Sequence, residues 1–277
     1  MSIIGHKGIQ VLSDIDSLDD LPEAADVESE AVWYIESGDF APDYIAPSLW
    51  DGQQFNEWIS LVDGEVFVAL PDSGLLHRWD VSEEDDISTV SDLSGSADLD
   101  AIGSPSIDTD GINGVQAALL DGTDDGFESD LNALNLSQPF EIFFVAERDS
   151  TKRMRAYTTG QDDGETVLSD WSVDDGDTEY RLVAGNGISG GTPDQNPHFT
   201  TALCDGNDGV LRVDGTTIAS GDVGSNNLND IRVGVSRLDS RWFSGHWGEL
   251  LIYDPTDNGY DRTEVENYLS NKWGIPI

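Results

Sequence analysis

Short apolar runs, each ending near glycine, aspartate, asparagine or proline, recur through most of this 277-residue chain. The clearest of them are EAVWYIES, PFEIFFVAE, EYRLVAG, GVLRVDGTTIAS, NDIRVGVS and GELLIYD. Each run alternates apolar with polar residues or is briefly continuous, as β-strands are, and turn-forming residues separate one run from the next. Regular spacing of this kind favours antiparallel strands packed as a two-sheet sandwich.

A helical pattern stands out only near the end of the chain, in YDRTEVENYLSNKWG. Asp261 is placed to cap the first turn, Glu264 has the spacing of a capping box, and Gly274 follows the last turn. The apolar residues at helical spacing are Val265, Tyr268, Leu269 and Trp273. The sequence therefore predicts a C-terminal helix that lies against a sheet as a structural cap.

Turn-forming residues interrupt the strand pattern from Pro71 to Gly74 and indicate a domain boundary. We expect residues 1–72 to form a small β-rich module and residues 73–277 to form the sandwich. A module of about 70 residues folds alone only marginally, so the first one should lean on a neighbour. A neighbouring copy of the chain, as in a trimer or a pentamer, would give the module a role in oligomerisation and anchoring.

Acidic residues dominate the charge, with 55 Asp and Glu against 13 Lys and Arg and a formal net charge of −42. The carboxylates recur in nearly every turn, so the folded surface should repel itself in dilute buffer. Molar salt shortens the Debye length to about 3 Å and would quench that repulsion. The composition favours a halophilic source, with an acidic mesophilic or calcium-dependent surface protein as the alternative. Nucleic acid is not an expected partner, because the chain has no basic face.

The sequence lacks the motifs of disulfide bonding, membrane insertion, secretion and catalysis. Cys204 is the single cysteine, so no intrachain disulfide forms, and its setting is that of a small core residue. No apolar stretch is long enough to span a membrane and no secretory signal is visible, so we expect cytoplasmic synthesis without membrane insertion. The carboxylate motif E-x-D-x-x-E of sandwich-fold endoglucanases is broken here, because Lys152 follows Glu147 and Asp149. With no nucleophile elbow either, the chain is not expected to be an enzyme.

The stretch AALLDGTDDGFES concentrates aspartates between an apolar run and an aromatic residue. The three are Asp121, Asp124 and Asp125. An EF-hand loop does not fit, because the twelfth position counted from Asp121 is Asn132. Two interpretations stay open: a looser oxygen cage for Ca2+ or Mg2+, or a tight turn in which Gly122 and Gly126 take positive φ. The turn is the preferred one.

Two stretches combine basic and aromatic residues that suit carbohydrate contacts. RDSTKRMR contributes Arg148, Arg153 and Arg155, and SRLDSRWFSGHWG contributes Arg241, Trp242 and His246. Exposed aromatic rings stack on sugar rings, and guanidinium groups bind carboxylates or sulfates through two hydrogen bonds. The alternative is that Phe243 and Trp247 belong to the core of a strand beginning at Trp242, and that the basic residues pair with local acids.

From Leu75 onward, the order of these features resembles the concanavalin A-like, or laminin-G-like, jelly-roll family. LLHRWDVSEED resembles its first strand, and the segment from DLSGSADL to DGTDDGFES resembles its second stretch. SQPFEIFFVAE resembles the central strand, LRVDGTTIASGDVGSNNLNDIRVGVSR a hairpin pair, and FSGHWGELLIYD with EVENYLSNKWGI the closing strand and helix. The resemblance implies an all-β fold of two antiparallel sheets with about 12 to 14 strands. It also implies frequent carbohydrate binding, calcium at a sheet edge in some members, and a turn at DGTDDG.

The first 70 residues resemble short adaptor modules of tailed-virus fibre and tail proteins, through LSDIDSLDDLPEAADVESEAVWYIES and WDGQQFNEWISLVDG. With the acidic composition, this implies a structural or receptor-binding virion protein of a halophilic archaeal virus, such as a tail fibre, spike, turret or head decoration. The expected place is the virion surface. The expected partners are further copies of the chain, other virion proteins and glycans of the host surface glycoprotein. The alternative is a cellular haloarchaeal carbohydrate-binding protein or glycoside hydrolase.

Salt should control the stability of the fold, because closely spaced carboxylates repel over about 10 Å at 0.1 M salt and over about 3 Å at 1 M. Dialysis from about 2–4 M KCl to about 0.1 M is expected to unfold or loosen the protein. Circular dichroism against temperature at both concentrations measures the effect. A melting temperature that is the same in low and in molar salt would contradict the halophilic interpretation.

Overall fold

The computed structural model describes residues 70–149, 154–159, 167–171, 179–236 and 241–277, together with six strands among the first 69 residues. The chain divides into two compact units, Met1–Leu70 and Pro71–Ile277. The division lies two residues before the boundary that the sequence indicated, at the start of the same turn-forming segment. Within that segment the Leu75 amide nitrogen donates to the Asp72 carbonyl oxygen at 3.1 Å, which closes the turn into the first strand of the second unit.

The first unit is a six-stranded sheet whose strands follow one another in chain order. They are β1 (Ile3–His6), β2 (Ile9–Leu12), β3 (Val32–Ile35), β4 (Tyr44–Ile45), β5 (Glu57–Ile59) and β6 (Val66–Val68). β2 and β3 pair in parallel, and the other neighbours pair antiparallel. The unit is β-rich, as predicted, and its role in anchoring or oligomerisation stays a prediction.

The second unit contains sixteen strands and one α-helix among its described residues. The strands are β7 (Leu75–Asp80), β8 (Thr89–Val90), β9 (Leu99–Ile102), β10 (Ser106–Ile112), β11 (Val115–Asp121), β12 (Gly126–Ser129), β13 (Phe140–Arg148), β14 (Met154–Thr158), β15 (Val167–Trp171), β16 (Tyr180–Ala184), β17 (Gly187–Gly190), β18 (Pro197–Cys204), β19 (Gly209–Val213), β20 (Thr216–Gly221), β21 (Arg232–Val233) and β22 (Ser244–Tyr253). The helix α1 spans Arg262–Trp273, and a short 3-10 helix spans Val81–Glu83. The family resemblance implied about 12 to 14 strands, and the sixteen among the described residues include strands of only two residues, such as β8 and β21.

These strands form two sheets of eight strands each, with antiparallel pairing throughout. The first sheet has the order β10-β11-β22-β13-β18-β19-β20, with β7 also paired to β22, and the second has the order β17-β16-β15-β14-β21-β12-β9-β8. β22 takes two partners on one edge, because residues 244–247 pair with β11 and residues 249–253 pair with β7. The predicted all-β antiparallel sandwich is confirmed.

The two sheets enclose a core rich in aromatic side chains. Trp171, Phe144 and Trp247 are fully buried in it, and Phe144 meets Trp171 edge to face with ring centroids 5.9 Å apart. Cys204 and Phe243 belong to the same core. The structural interpretation of the cysteine is therefore confirmed, and large aromatic rings supply much of the apolar area that stabilises the sandwich.

A second apolar layer lies on the outer face of the first sheet, under α1. Ile142 and Phe144 of β13 lie in the core between the sheets, whereas Phe143 and Val145 are buried outside that core. The helix residues predicted to face a sheet are all buried: Val265, Tyr268, Leu269 and Trp273. Because β13 is covered on both faces, it reads as a continuous apolar run and not as an alternating one.

Both ends of α1 form as the sequence predicted. The Asp261 carboxylate accepts a hydrogen bond from the Thr263 amide nitrogen at 2.8 Å, and Gly274 ends the helix with φ 62°. Asn113, in the turn between β10 and β11, donates from its side chain to the Trp273 carbonyl oxygen at 2.8 Å. The hydrogen bond from Asn113 attaches the C-terminal end of α1 to the β10–β11 hairpin. The sequence pattern of the helix did not predict it, because the two residues are far apart in the chain. No helix in the described parts of the chain has the length and hydropathy needed to span a bilayer.

Several ion pairs join α1 to the first sheet, and two of them involve arginine. Arg262 donates to Glu141 on β13 at 2.6 Å, and Glu266 accepts from Arg212 on β19 at 2.7 and 3.0 Å. Glu141 is fully buried, and burial raises its pKa above the ordinary value. A charged residue on the covered face of the helix is tolerated because each carboxylate removed from water meets a guanidinium group.

Replacing Trp273 by alanine is expected to lower the free energy of unfolding by about 3–5 kcal/mol. The indole ring is fully buried and lies so close to Gly248 on β22 that a Cβ there would come within 2.5 Å of it. Ile277→Ala is the matched control, because Ile277 is 57% exposed and its loss should cost less than about 0.5 kcal/mol. Denaturant unfolding of both variants at one salt concentration measures the difference, and equal effects would contradict the helix packing.

Candidate functional site

The aspartate-rich loop of residues 121–126 connects β11 in the first sheet to β12 in the second. The Asp121 carboxylate accepts a hydrogen bond from the Thr123 amide nitrogen at 2.7 Å. The Asp125 carboxylate accepts one from the Ser104 amide nitrogen at 2.8 Å. Gly122 has φ +74°, so the backbone of this loop is a tight turn.

Gly126 is needed for a different reason from the one that the sequence suggested. Its backbone does not take the left-handed conformation that Gly122 takes. A Cβ at Gly126 would lie 2.9 Å from the Val233 carbonyl oxygen on the neighbouring strand β21. Glycine at this position therefore permits close approach of two strands.

The same loop brings three carboxylates together. One oxygen from each of Asp121, Asp124 and Asp125 lies within 4.8 Å of the others, with the first two residues exposed and Asp125 buried. A hydrogen bond from the Thr123 amide nitrogen holds the pKa of Asp121 below its ordinary value. Ca2+ and Mg2+ prefer carboxylate oxygens as ligands, and the cation site at this loop stays a prediction.

The two stretches of basic and aromatic residues meet at one end of the sandwich. Arg155, in β14, donates from its amide nitrogen to the Arg241 carbonyl oxygen at 3.1 Å. Asp149, just after β13, donates from its amide nitrogen to the Ser244 carbonyl oxygen at 3.0 Å. Tertiary structure thus makes neighbours of two segments that lie far apart in the chain.

The predicted contact residues at this end differ in exposure. Arg148 is 1% exposed and donates to the Trp171 carbonyl oxygen at 3.3 Å, and burial lowers its pKa. Arg155 is also buried, and Arg153 lies outside the described residues. Because buried guanidinium groups are not presented to a ligand outside the domain, Arg148 and Arg155 do not suit the surface contact that the sequence suggested.

His246 lies on β22 with Nε2 2.9 Å from a carboxylate oxygen of Asp108 on β10. His246 therefore pairs with an acid, as the alternative interpretation expected, but strand pairing supplies that acid from 138 residues away in the chain. The same alternative describes Phe243 and Trp247, since both are fully buried in the core. The strand itself begins at Ser244, after Trp242.

Arg241 and Trp242 remain at the surface, the first exposed and the second half-buried. Arg241 has φ 57°, in the left-handed region that residues with a Cβ seldom adopt. Two residues later the Phe243 amide nitrogen donates to the Gly234 carbonyl oxygen at 2.7 Å. The chain therefore buries Phe243 while the two preceding side chains stay in contact with solvent.

A charged cluster at the same end of the sandwich has only a weak sequence signal. His198 Nδ1 lies 2.6 Å from an Asp214 carboxylate oxygen, and Nε2 lies 2.9 Å from one of Asp194. Burial disfavours charge on His198, but the hydrogen bonds to both aspartates raise its pKa above the ordinary value. Gln195 ties the segment to Asp149 by donating to its carbonyl oxygen at 2.7 Å. The spacing from Asp194 to His198 was the only local hint, because strand pairing brings Asp214 close.

No protein-family model matches the chain, and no curated protein matches it significantly. Solved structures do. Domain 4 of AbnA, a GH43 extracellular arabinanase from Geobacillus stearothermophilus, in complex with arabinotriose, is 17% identical with a TM-score of 0.56, over 72% of this chain and 99% of that domain. Trypanosoma rangeli sialidase in complex with sialic acid is 13% identical with a TM-score of 0.55, over 74% of this chain and 34% of the sialidase.

The botulinum neurotoxin serotype D/C binding domain is 10% identical with a TM-score of 0.52, over 72% of this chain and 52% of that domain. The chain therefore spans about a third of the sialidase and half of the toxin domain, but nearly all of the arabinanase domain. At these identities the similarity shows the fold. The fold is an antiparallel β-sandwich of two sheets.

Proposed function

We propose that the sandwich of residues 71–277 binds carbohydrate, with Arg241 and Trp242 as contact residues. The observation that carries this proposal is a contrast within one short segment. Trp242 stays half-exposed beside the exposed Arg241, while Phe243 and Trp247 are fully buried. An indole ring that the core does not enclose offers an apolar face to a sugar ring, and the adjacent guanidinium group can bind a carboxylate or a sulfate.

The solved structures with this fold support the same class of ligand. Two of them are named with a sugar, arabinotriose for the arabinanase domain and sialic acid for the sialidase. We propose binding without cleavage, because the E-x-D-x-x-E motif is broken at Lys152. A single site built on one ring should be weak, and several copies of the chain joined through the first unit would strengthen it by raising the effective concentration.

Titration of the purified chain with host surface glycoprotein and with a panel of neutral and acidic glycans in molar KCl tests the proposal. Trp242→Ala is expected to weaken binding at least tenfold, which corresponds to about 1.4 kcal/mol. Arg241→Gln should weaken binding to acidic glycans, while Arg181→Gln, at an exposed arginine on β16, serves as the matched control. Absence of saturable binding by the wild-type chain would contradict the proposed carbohydrate binding. Unchanged binding by Trp242→Ala would contradict the assignment of Trp242 as a contact residue.

We also propose Asp121, Asp124 and Asp125 as a site for Ca2+ or Mg2+ that supports the same sandwich. The proximity of their three carboxylate oxygens motivates the assignment. The same titration after treatment with a chelator, and again after Ca2+ is restored, shows whether binding of glycan depends on the cation. Identical glycan-binding curves before chelation, after chelation and after return of Ca2+ would show that binding does not depend on a cation. The loop would then be a turn between two strands.

We propose further that this chain is a structural or receptor-binding virion protein of a halophilic archaeal virus. Its motivation is the even spread of 55 acidic residues along the chain and the similarity of the first 70 residues to virion adaptor modules. Antibody against this chain should then label virions in negative-stain images, at the surface of the particle. Label confined to cell surfaces would favour the cellular haloarchaeal carbohydrate-binding protein or glycoside hydrolase.

A further inference from the structure

Lys272, in the last turn of α1, has its ammonium group between two buried carboxylates. Its Nζ contacts Oδ2 of Asp80, the last residue of β7, and lies 3.0 Å from Oε2 of Glu249 on β22. Both carboxylate side chains are fully buried, and the lysine side chain is 18% exposed. Asp80 and Glu249 are direct partners across the pairing of β7 with β22, so two adjacent strands hold them in place.

The orientation of each reacting group is fixed by further hydrogen bonds. Asp80 Oδ1 accepts from the amide nitrogen and the hydroxyl group of Ser82 at 3.0 and 2.6 Å, which leaves Oδ2 for the cations. Glu249 accepts from the Tyr268 hydroxyl group at 3.0 Å and from Nε1 of Trp273 at 2.9 Å. An amine and a carboxyl group held in contact on rigid elements reach effective concentrations on the order of 10⁵–10⁸ M when their geometry is right.

We propose that Lys272 and Asp80 become joined by a side-chain amide bond, with Glu249 as the group that transfers the proton. Nζ first passes one proton to Glu249, and the resulting amine uses its free electron pair to attack Cγ of Asp80 and form the new bond. One C–O bond of the carboxylate then breaks, and its oxygen leaves as water with two of the three ammonium protons. Nothing is oxidised or reduced, and the remaining proton stays on the amide nitrogen.

The surrounding groups suit this condensation. Glu249 Oε2 lies 3.0 Å from Nζ, and burial raises the pKa of this carboxyl above its ordinary value, so Glu249 is placed to accept a proton from Nζ and to pass it to the departing oxygen. Arg78 Nη2 donates to Asp80 Oδ2 at 2.6 Å, where negative charge develops as Nζ adds to Cγ. Burial opposes ionisation of Asp80, but Lys272, Ser82 and Arg78 together hold its pKa below the ordinary value, so the starting state is the ammonium–carboxylate pair.

Lys272 differs from the other cations that form ion pairs at α1, because those cations are arginines. Arg262 pairs with Glu141 and Arg212 pairs with Glu266. A guanidinium group does not act as an amine nucleophile, whereas the side-chain amine of a lysine does once a neighbouring base has taken its proton. The chain has three lysines against ten arginines, and Lys272 is the one lysine among the described residues.

The bond would join the first strand of the sandwich to its last helix. Nearly the whole second unit lies between Asp80 and Lys272, so unfolding could not separate its two ends. A cross-link that closes so long a loop acts mainly by restricting the unfolded chain. This covalent closure goes beyond the proposed carbohydrate binding and does not depend on it.

Mass spectrometry of the intact, folded, full-length chain tests the proposal. The expected mass is lower than the sequence mass by one water molecule. Digestion with trypsin is expected to leave the chain uncut after Lys272 and to yield a branched peptide that contains both Asp80 and Lys272. Lys272→Arg keeps the positive charge beside the carboxylates but cannot form the bond, so it should have the full mass of its sequence.

Glu249→Gln tests the proton transfer and should slow or abolish the loss of water. Succinimide formation at Asp-Gly pairs also removes water, but it persists in Lys272→Arg and hydrolyses in mild base. The full sequence mass for the folded wild-type chain, or a loss of water that persists in Lys272→Arg, would overturn the bond. Loss of water in Glu249→Gln at the wild-type rate would overturn the role of Glu249.

Discussion

Helix α1 can cover the first sheet only because the carboxylates buried beneath it meet cations. Glu141 and Glu249 on the sheet and Glu266 on the helix each lie within hydrogen-bond distance of an arginine or a lysine. An ionised carboxylate taken out of water without a partner costs several kcal/mol. The apolar layer between helix and sheet therefore forms together with these ion pairs, and the loss of one partner weakens both.

Many of the few basic residues lie at the interface between α1 and the first sheet, where they pair with buried carboxylates. The chain has 13 Lys and Arg residues, and Arg78, Arg212, Arg262 and Lys272 all serve the helix interface. Arg148 and Arg155 are buried elsewhere, while Arg181 and Arg241 are exposed. Carboxylates consequently dominate the exposed surface, so an anionic glycan would have to meet a cation such as Arg241 directly, whereas a neutral sugar could use the face of Trp242.

Strand β22 connects the core, the helix and the candidate site. Its register shifts against β13 next to Gly248, so Trp247 lies in the core while Glu249 faces the helix. The lack of a side chain at Gly248 also makes room for the ring of Trp273. Because β22 begins at Ser244, two residues after Trp242, a well-paired strand holds the exposed segment of Arg241 and Trp242, as rigid scaffolds commonly hold binding loops.

Local pattern determined the strands of the core, the caps of α1 at Asp261 and Gly274, and the burial of Cys204, since each depends on the properties of a few consecutive residues. It could not show that Gly126 serves close strand packing, that Glu266 is buried on the helix, or that Arg148 and Arg155 are buried at the very end that exposes Arg241. Nor could it bring Lys272, Asp80 and Glu249 together. Those facts depend on which distant strands pair and which faces they cover, because burial and charge pairing are properties of neighbours in space.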